Sequence, residues 1–136
     1  MPLKTYPRNP NNTYGPTTRG HFYVSVDYHR KTAARRKDKT RWCIKEGEEY
    51  SVFKIANEGC NPSVWWYCNE NKCLFGFIYE NDRLLIIGDD EEQVAKFPDD
   101  RNGSDPWHGY PVSCEKAYNR PSSDLLDILV ENHCLS

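Results

Sequence analysis

The sequence predicts an α+β fold, mainly antiparallel β-sheet (a meander or small barrel) with one C-terminal helix. Three observations carry this. Short apolar runs alternate with turn signals at regular spacing between residues 50 and 97. Eighteen aromatic residues supply large apolar areas where Leu, Ile, Val and Phe together make up only about a fifth of the 136 residues. A single amphipathic stripe closes the chain after Pro121.

Residues 1–20 hold four prolines and no periodicity, and read as a flexible arm or a strap laid over the surface, ahead of one globular domain at 21–136. In His21–His29, Phe22, Val24, Val26 and Tyr28 alternate with His21, Tyr23, Ser25, Asp27 and His29, giving a strand with an apolar face and a polar row. Arg41–Lys45 is expected to return beside it, so that HRKTAARRKDKTR forms the tip of a long hairpin. Tyr50–Ala56 reads as the next strand, Val64–Cys68 as another, and Asn69–Lys72 as a turn. Cys73–Tyr79 is a nearly continuous apolar run suited to a central strand. Asn81-Asp82 marks a turn, Arg83–Ile87 a strand, Gly88–Glu92 a turn and Gln93–Phe97 a last strand. Pro98–Arg120 is long for a structureless connection and reads as a functional or packed loop. Ser122 or Ser123 is the expected N-cap of the final helix, with Leu125, Leu126, Leu129 and Val130 on its apolar stripe.

Charge is the main functional clue. Residues 1–42 contain ten Lys/Arg and two Asp, a net +8, against −10 for the remainder. Seven cations fall between Arg30 and Arg41: Arg30, Lys31, Arg35, Arg36, Lys37, Lys39 and Arg41. A cluster of that density neutralises several phosphates, so the leading expectation is a small binding module that engages RNA or DNA through this segment. A protein-interaction or inhibitor module, docking an acidic or mixed-charge partner through the opposed fields with Trp66, Trp107 and Tyr110 as anchors, is the alternative. A third reading is a small metal-independent ribonuclease, with His29 and His108 as acid and base and Asp27 orienting His29. Trp107 and Tyr110 lie in Asp105–Pro111, where proline and glycine shape the backbone around His108.

Other motifs fail their own tests. Phe75-Gly76-Phe77-Ile78 matches the middle of the RNA-recognition-motif octamer, yet Cys73, Leu74 and Glu80 break the pattern and no family membership follows. Asp99, Asp100, Asn102, Gly103 and Asp105 resemble a calcium loop, but alignment on Gly103 puts Pro98 at the first ligand position and Gly109 at the last, so the pattern fails. The six cysteines lack zinc-ribbon spacing, and Cys68 and Cys73 flank a four-residue turn that sets them opposite each other. With no secretory signal and no apolar span, a reduced, cytoplasmic chain with no membrane association, metal or cofactor is expected.

Overall fold

A computed structural model of the chain describes residues 3–25, 41–59, 65–80, 83–98, 106–115 and 119–131. The fold is α+β, as the sequence predicts. Helix α1 spans Glu46–Glu58; strands β1 to β6 span Tyr67–Cys68, Cys73–Gly76, Tyr79–Glu80, Arg83–Leu84, Val94–Pro98 and Tyr110–Val112; helix α2 spans Ser123–Glu131. Four strands form an antiparallel sheet in the order β1-β2-β5-β6, and β3 and β4 form a separate antiparallel pair between β2 and β5 in the chain.

Helix α1 replaces the strand expected at Tyr50–Ala56. Its first turn carries Glu46, Glu48 and Glu49, which suit the positive end of a helix. The Glu48 carboxylate accepts from the Lys45 backbone N–H at 2.8 Å. At the other end Gly59 takes φ 76° and donates to the Ile55 carbonyl. The helix lies on the face of the sheet that carries Leu74, Gly76 and Phe97. A Cβ on Gly76 would sit 2.9 Å from Val52 Cγ1 and 3.0 Å from Phe97 Cε2, so glycine is what lets helix and strand approach. Val52, Phe53 and Ala56 are wholly buried there.

The opposite side of α1 is covered by the N-terminal segment. Lys4 N–H donates to Ser51 Oγ, Tyr6 N–H to the Gly47 carbonyl, and Thr18 N–H to Glu58 Oε2. Tyr6 and Tyr14 pack on the Tyr50 ring, edge-on at 5.0 Å and stacked at 5.7 Å. Residues 3–20 are therefore a strap running the length of α1. The other sheet face presents Cys68, Cys73, Phe75 and Lys96. α2 packs against β1, Leu125 is buried, and Asn119, just before the helix, lies 3.5 Å from Lys96 Nζ. Ser122 is the cap, its Oγ accepting from the Leu125 N–H, while Leu126 of the expected stripe faces outward.

The core is aromatic. The Tyr23 ring stacks on Phe53 at 5.3 Å and meets Phe97 edge-on at 5.9 Å; Trp42 tilts against Phe97 at 6.2 Å. This reverses the alternation expected for His21–His29 over the residues described. Tyr23 is inside, and Phe22 and Val24 are only half-buried. The buried Glu49 carboxylate explains the reversal, because it accepts from Tyr23 Oη at 2.9 Å and Ser25 Oγ at 3.1 Å. Two hydroxyls from this stretch reach one buried carboxyl group, and the aromatic ring follows its hydroxyl inward.

Candidate nucleic-acid interface

The loop at 106–109 organises the functional region. Its Trp107 runs parallel to Tyr23: Trp107 N–H donates to the Phe22 carbonyl and Val24 N–H to the Trp107 carbonyl, both at 2.8 Å. Two residues later the Gly109 carbonyl accepts from the Trp42 indole N–H at 3.2 Å. Tyr23 is also bridged to Tyr14, and Trp42 to Gly88. Over the described residues the flanks of the cationic segment are thus not each other's hairpin partners. Each is tied separately, and both are tied to the carbonyls on either side of half-buried His108.

Of the seven cations, Arg30, Lys31, Arg35, Arg36, Lys37 and Lys39 lie outside the described residues, as do Asp27 and His29. Arg41 is described, and its Nε and Nη2 approach Asp89 Oδ2 at 2.7 and 2.6 Å. That ion pair fastens the returning chain to the 88–92 turn, where Asp89 N–H also donates to the Arg41 carbonyl. Arg41 thereby serves as an anchor for the segment.

A second group of side chains adjoins Trp107. The His21 ring lies 5.8 Å from Trp107 and 6.3 Å from Trp65. Its Nδ1 is 2.8 Å from Asn57 Nδ2, and Thr17 Oγ1 donates to Asn57 Oδ1 at 2.6 Å. Because Asn57 Oδ1 is the acceptor for threonine, its amide nitrogen donates to His21 Nδ1. That leaves Nε2 as the ring position that offers a hydrogen-bond donor. Beside it the Arg19 guanidinium lies over the Trp65 ring at 5.0 Å, held by Nε donating to the Asn57 carbonyl at 2.7 Å. Arg19 Nη2 is shielded from solvent and has no acceptor among the described residues, a deficit of roughly 1–3 kcal/mol. Trp65 stacks in turn on Tyr67, with centroids 5.0 Å apart and planes 15° apart. Guanidinium, indole and phenol ring make one cluster of flat groups at the edge of the sheet.

This cluster was not singled out by sequence reasoning, although parity along β1 points to it. Trp65 and Tyr67 share one side, and Trp66 and Cys68 the other. Trp66, expected as an exposed anchor, is the buried one, stacked on Phe77 at 4.6 Å. Trp107 is also buried, packed on Phe53 at 5.9 Å, which removes it from the set of surface anchors. Both corrections have one cause: the largest apolar rings fill a core that is short of aliphatic residues. Tyr110 is half-buried on β6, opposite Lys96.

Cys68 and Cys73 face each other in register across β1 and β2 as buried free thiols. Burial pushes the Cys73 thiol up to about 12, against the opposing pull of Lys96. Among the described residues no three His, Cys, Asp or Glu gather where a metal ion would sit, and no helix is long and apolar enough to cross a membrane. The chain matches no protein-family model, no curated protein and no solved structure.

Proposed function

We propose that this chain is a nucleic-acid-binding module that grips the phosphate backbone with the cations of the 30–39 segment. The observation that carries the reading is that the two described residues flanking the stretch, Val24 and Trp42, are held by the Trp107 and Gly109 carbonyls of one loop. In the sequence the six cations all fall between these two tethers. Acidic residues with described contacts are engaged within the fold. Glu49 takes two hydroxyls, Glu48 caps α1, Glu58 pairs with Lys54 and holds the strap, and Asp89 holds Arg41.

The test is a salt titration of binding to labelled RNA and DNA oligomers, with the same samples run on a gel. Affinity is expected to fall linearly on logarithmic axes. For single strands the slope should shrink by about two units when Arg35, Arg36 and Lys37 all become Ala, since each phosphate contact contributes roughly 0.7. Strands should emerge intact. Shortened RNA would instead assign the function to the histidines, and absence of binding at low salt would overturn the reading in favour of a protein partner.

A further inference from the structure

The corner beside Trp107 extends this reading to the form of nucleic acid bound. We infer that the ligand is single-stranded, with one base taken against the Trp65–Tyr67 rings and an adjoining phosphate received by Arg19 and His21. The inference rests on the proposed nucleic-acid function and adds a second contact region to it.

The argument starts from what each group lacks. Arg19 has an Nη2 donor with no acceptor among the described residues, so turning that end of the guanidinium away from its present place breaks no described hydrogen bond there. Its Nε bond to the Asn57 carbonyl lets the side chain pivot while staying tethered. His21, with Nδ1 occupied by Asn57, presents Nε2–H, again a donor. Two donors beside one indole ask for a ligand that combines an acceptor-rich group with a flat face. A nucleotide has both within one unit: phosphate oxygens for Arg19 and His21, and a base to lie parallel to Trp65 in the position the guanidinium now takes.

Duplex nucleic acid fits this corner poorly because its bases are stacked on one another and their faces are closed. In a single strand a base turns out of line at small cost. Location supports the same conclusion. Trp107 is 6.4 Å from Trp65 and 5.8 Å from His21, and its carbonyl holds Val24, the described residue that precedes the cationic stretch in the chain by a few positions.

The experiment compares a twelve-nucleotide single-stranded RNA with a duplex of the same length at matched salt, using the full chain and three variants. The single strand is expected to bind at least tenfold more tightly. Trp65→Leu should weaken the single strand about tenfold and leave duplex binding unchanged, and Arg19→Lys, which retains the charge but not the planar fork, should weaken it about threefold. Circular dichroism establishes that each variant is folded, and Arg19→Lys keeps the test open if Trp65→Leu is not. The variant with Arg35, Arg36 and Lys37 replaced by Ala should weaken both ligands. Equal affinity for both ligands, or a Trp65→Leu change that is silent toward the single strand, would overturn the inference while leaving the cationic segment as the binding site. Failure of both ligands to bind would overturn the parent reading as well.

Discussion

At the scale of single residues, Glu49 is the most consequential side chain. Its carboxylate is fully buried and is held by two hydroxyls arriving from a different segment of the chain. A hydrogen bond contributes roughly 0.5–1.5 kcal/mol net, and stranding a buried partner costs roughly 1–3 kcal/mol. Glu49→Ala should therefore lower unfolding free energy by about 3 kcal/mol, and Tyr23→Phe by about 1.5 kcal/mol, both read from urea denaturation. Their double variant should fall short of the sum, since the two remove the same contact. Cys73 offers a second check: a thiol raised to about 12 by burial stays protonated at neutral pH, so a thiol reagent should label it only as fast as the protein opens. The buried carboxylate also explains why the alternation at 21–25 was misleading. The strand expected from it is, over the described residues, a stretch joined to its neighbours only by isolated bridges at Tyr23. Which side turns inward follows from a carboxyl group 26 residues away, to which no local pattern refers.

At the scale of elements, α1 shows how two-sided burial hides a helix. Its buried residues include Glu49, Tyr50, Val52, Phe53, Ala56 and Asn57, divided between the sheet on one side and the strap on the other. A helix covered on both sides has no single stripe, and Tyr50, Val52, Phe53 and Ile55 suit a strand equally well. The acidic first turn and the terminal Gly59 were legible signals of its ends. The turn after β1 and the β5 strand were read correctly because each depends on local chemistry, a polar turn and a short apolar strand. The expected run Cys73–Tyr79 is instead divided, with Cys73–Gly76 in the main sheet and Tyr79 in the separate β3–β4 pair, a break that continuous apolar character does not reveal. Trp107 and β6 were missed as ordered structure inside Pro98–Arg120, since their partners, Tyr23 and β5, are distant in sequence or set by tertiary pairing. The contact between α1 and β2 is itself testable. Gly76→Ala drives a methyl into Val52 and Phe97, and should destabilise the protein by roughly 1–3 kcal/mol with no change in nucleic-acid affinity measured below the new melting temperature. Val52→Ala in the same chain should recover part of that loss.

At the scale of the whole molecule, buried acids with high pKa values set the alkaline limit of stability. Burial is the largest cause in each case: Tyr14 and Tyr50 rise from 10.0 to about 12, with Glu46 and Glu58 adding to the effect, and Cys73 rises from 9.0 to about 12. The folded chain keeps these protons where the unfolded chain has released them, so their contribution is complete below pH 9 and is lost progressively towards pH 12. Each group adds a slope of about 1.4 kcal/mol per pH unit inside its window. Urea midpoints measured from pH 8 to 11 should stay level to about pH 9 and then decline, less steeply above pH 10 in Tyr50→Phe. A level profile to pH 11 would contradict the burial of all three. The attachment of the 26–40 stretch has a different kind of consequence. Because Val24 and Trp42 are held by carbonyls two residues apart, the distance the intervening chain must bridge is set by the framework and not by its own composition. Doubling the length of such a connection costs only about 0.6 kcal/mol in closure entropy. The stretch is therefore a natural port for exchange: a foreign loop inserted between Ser25 and Arg41 would inherit the same footing, with the Glu49 and Asp89 contacts and the aromatic interior left in place.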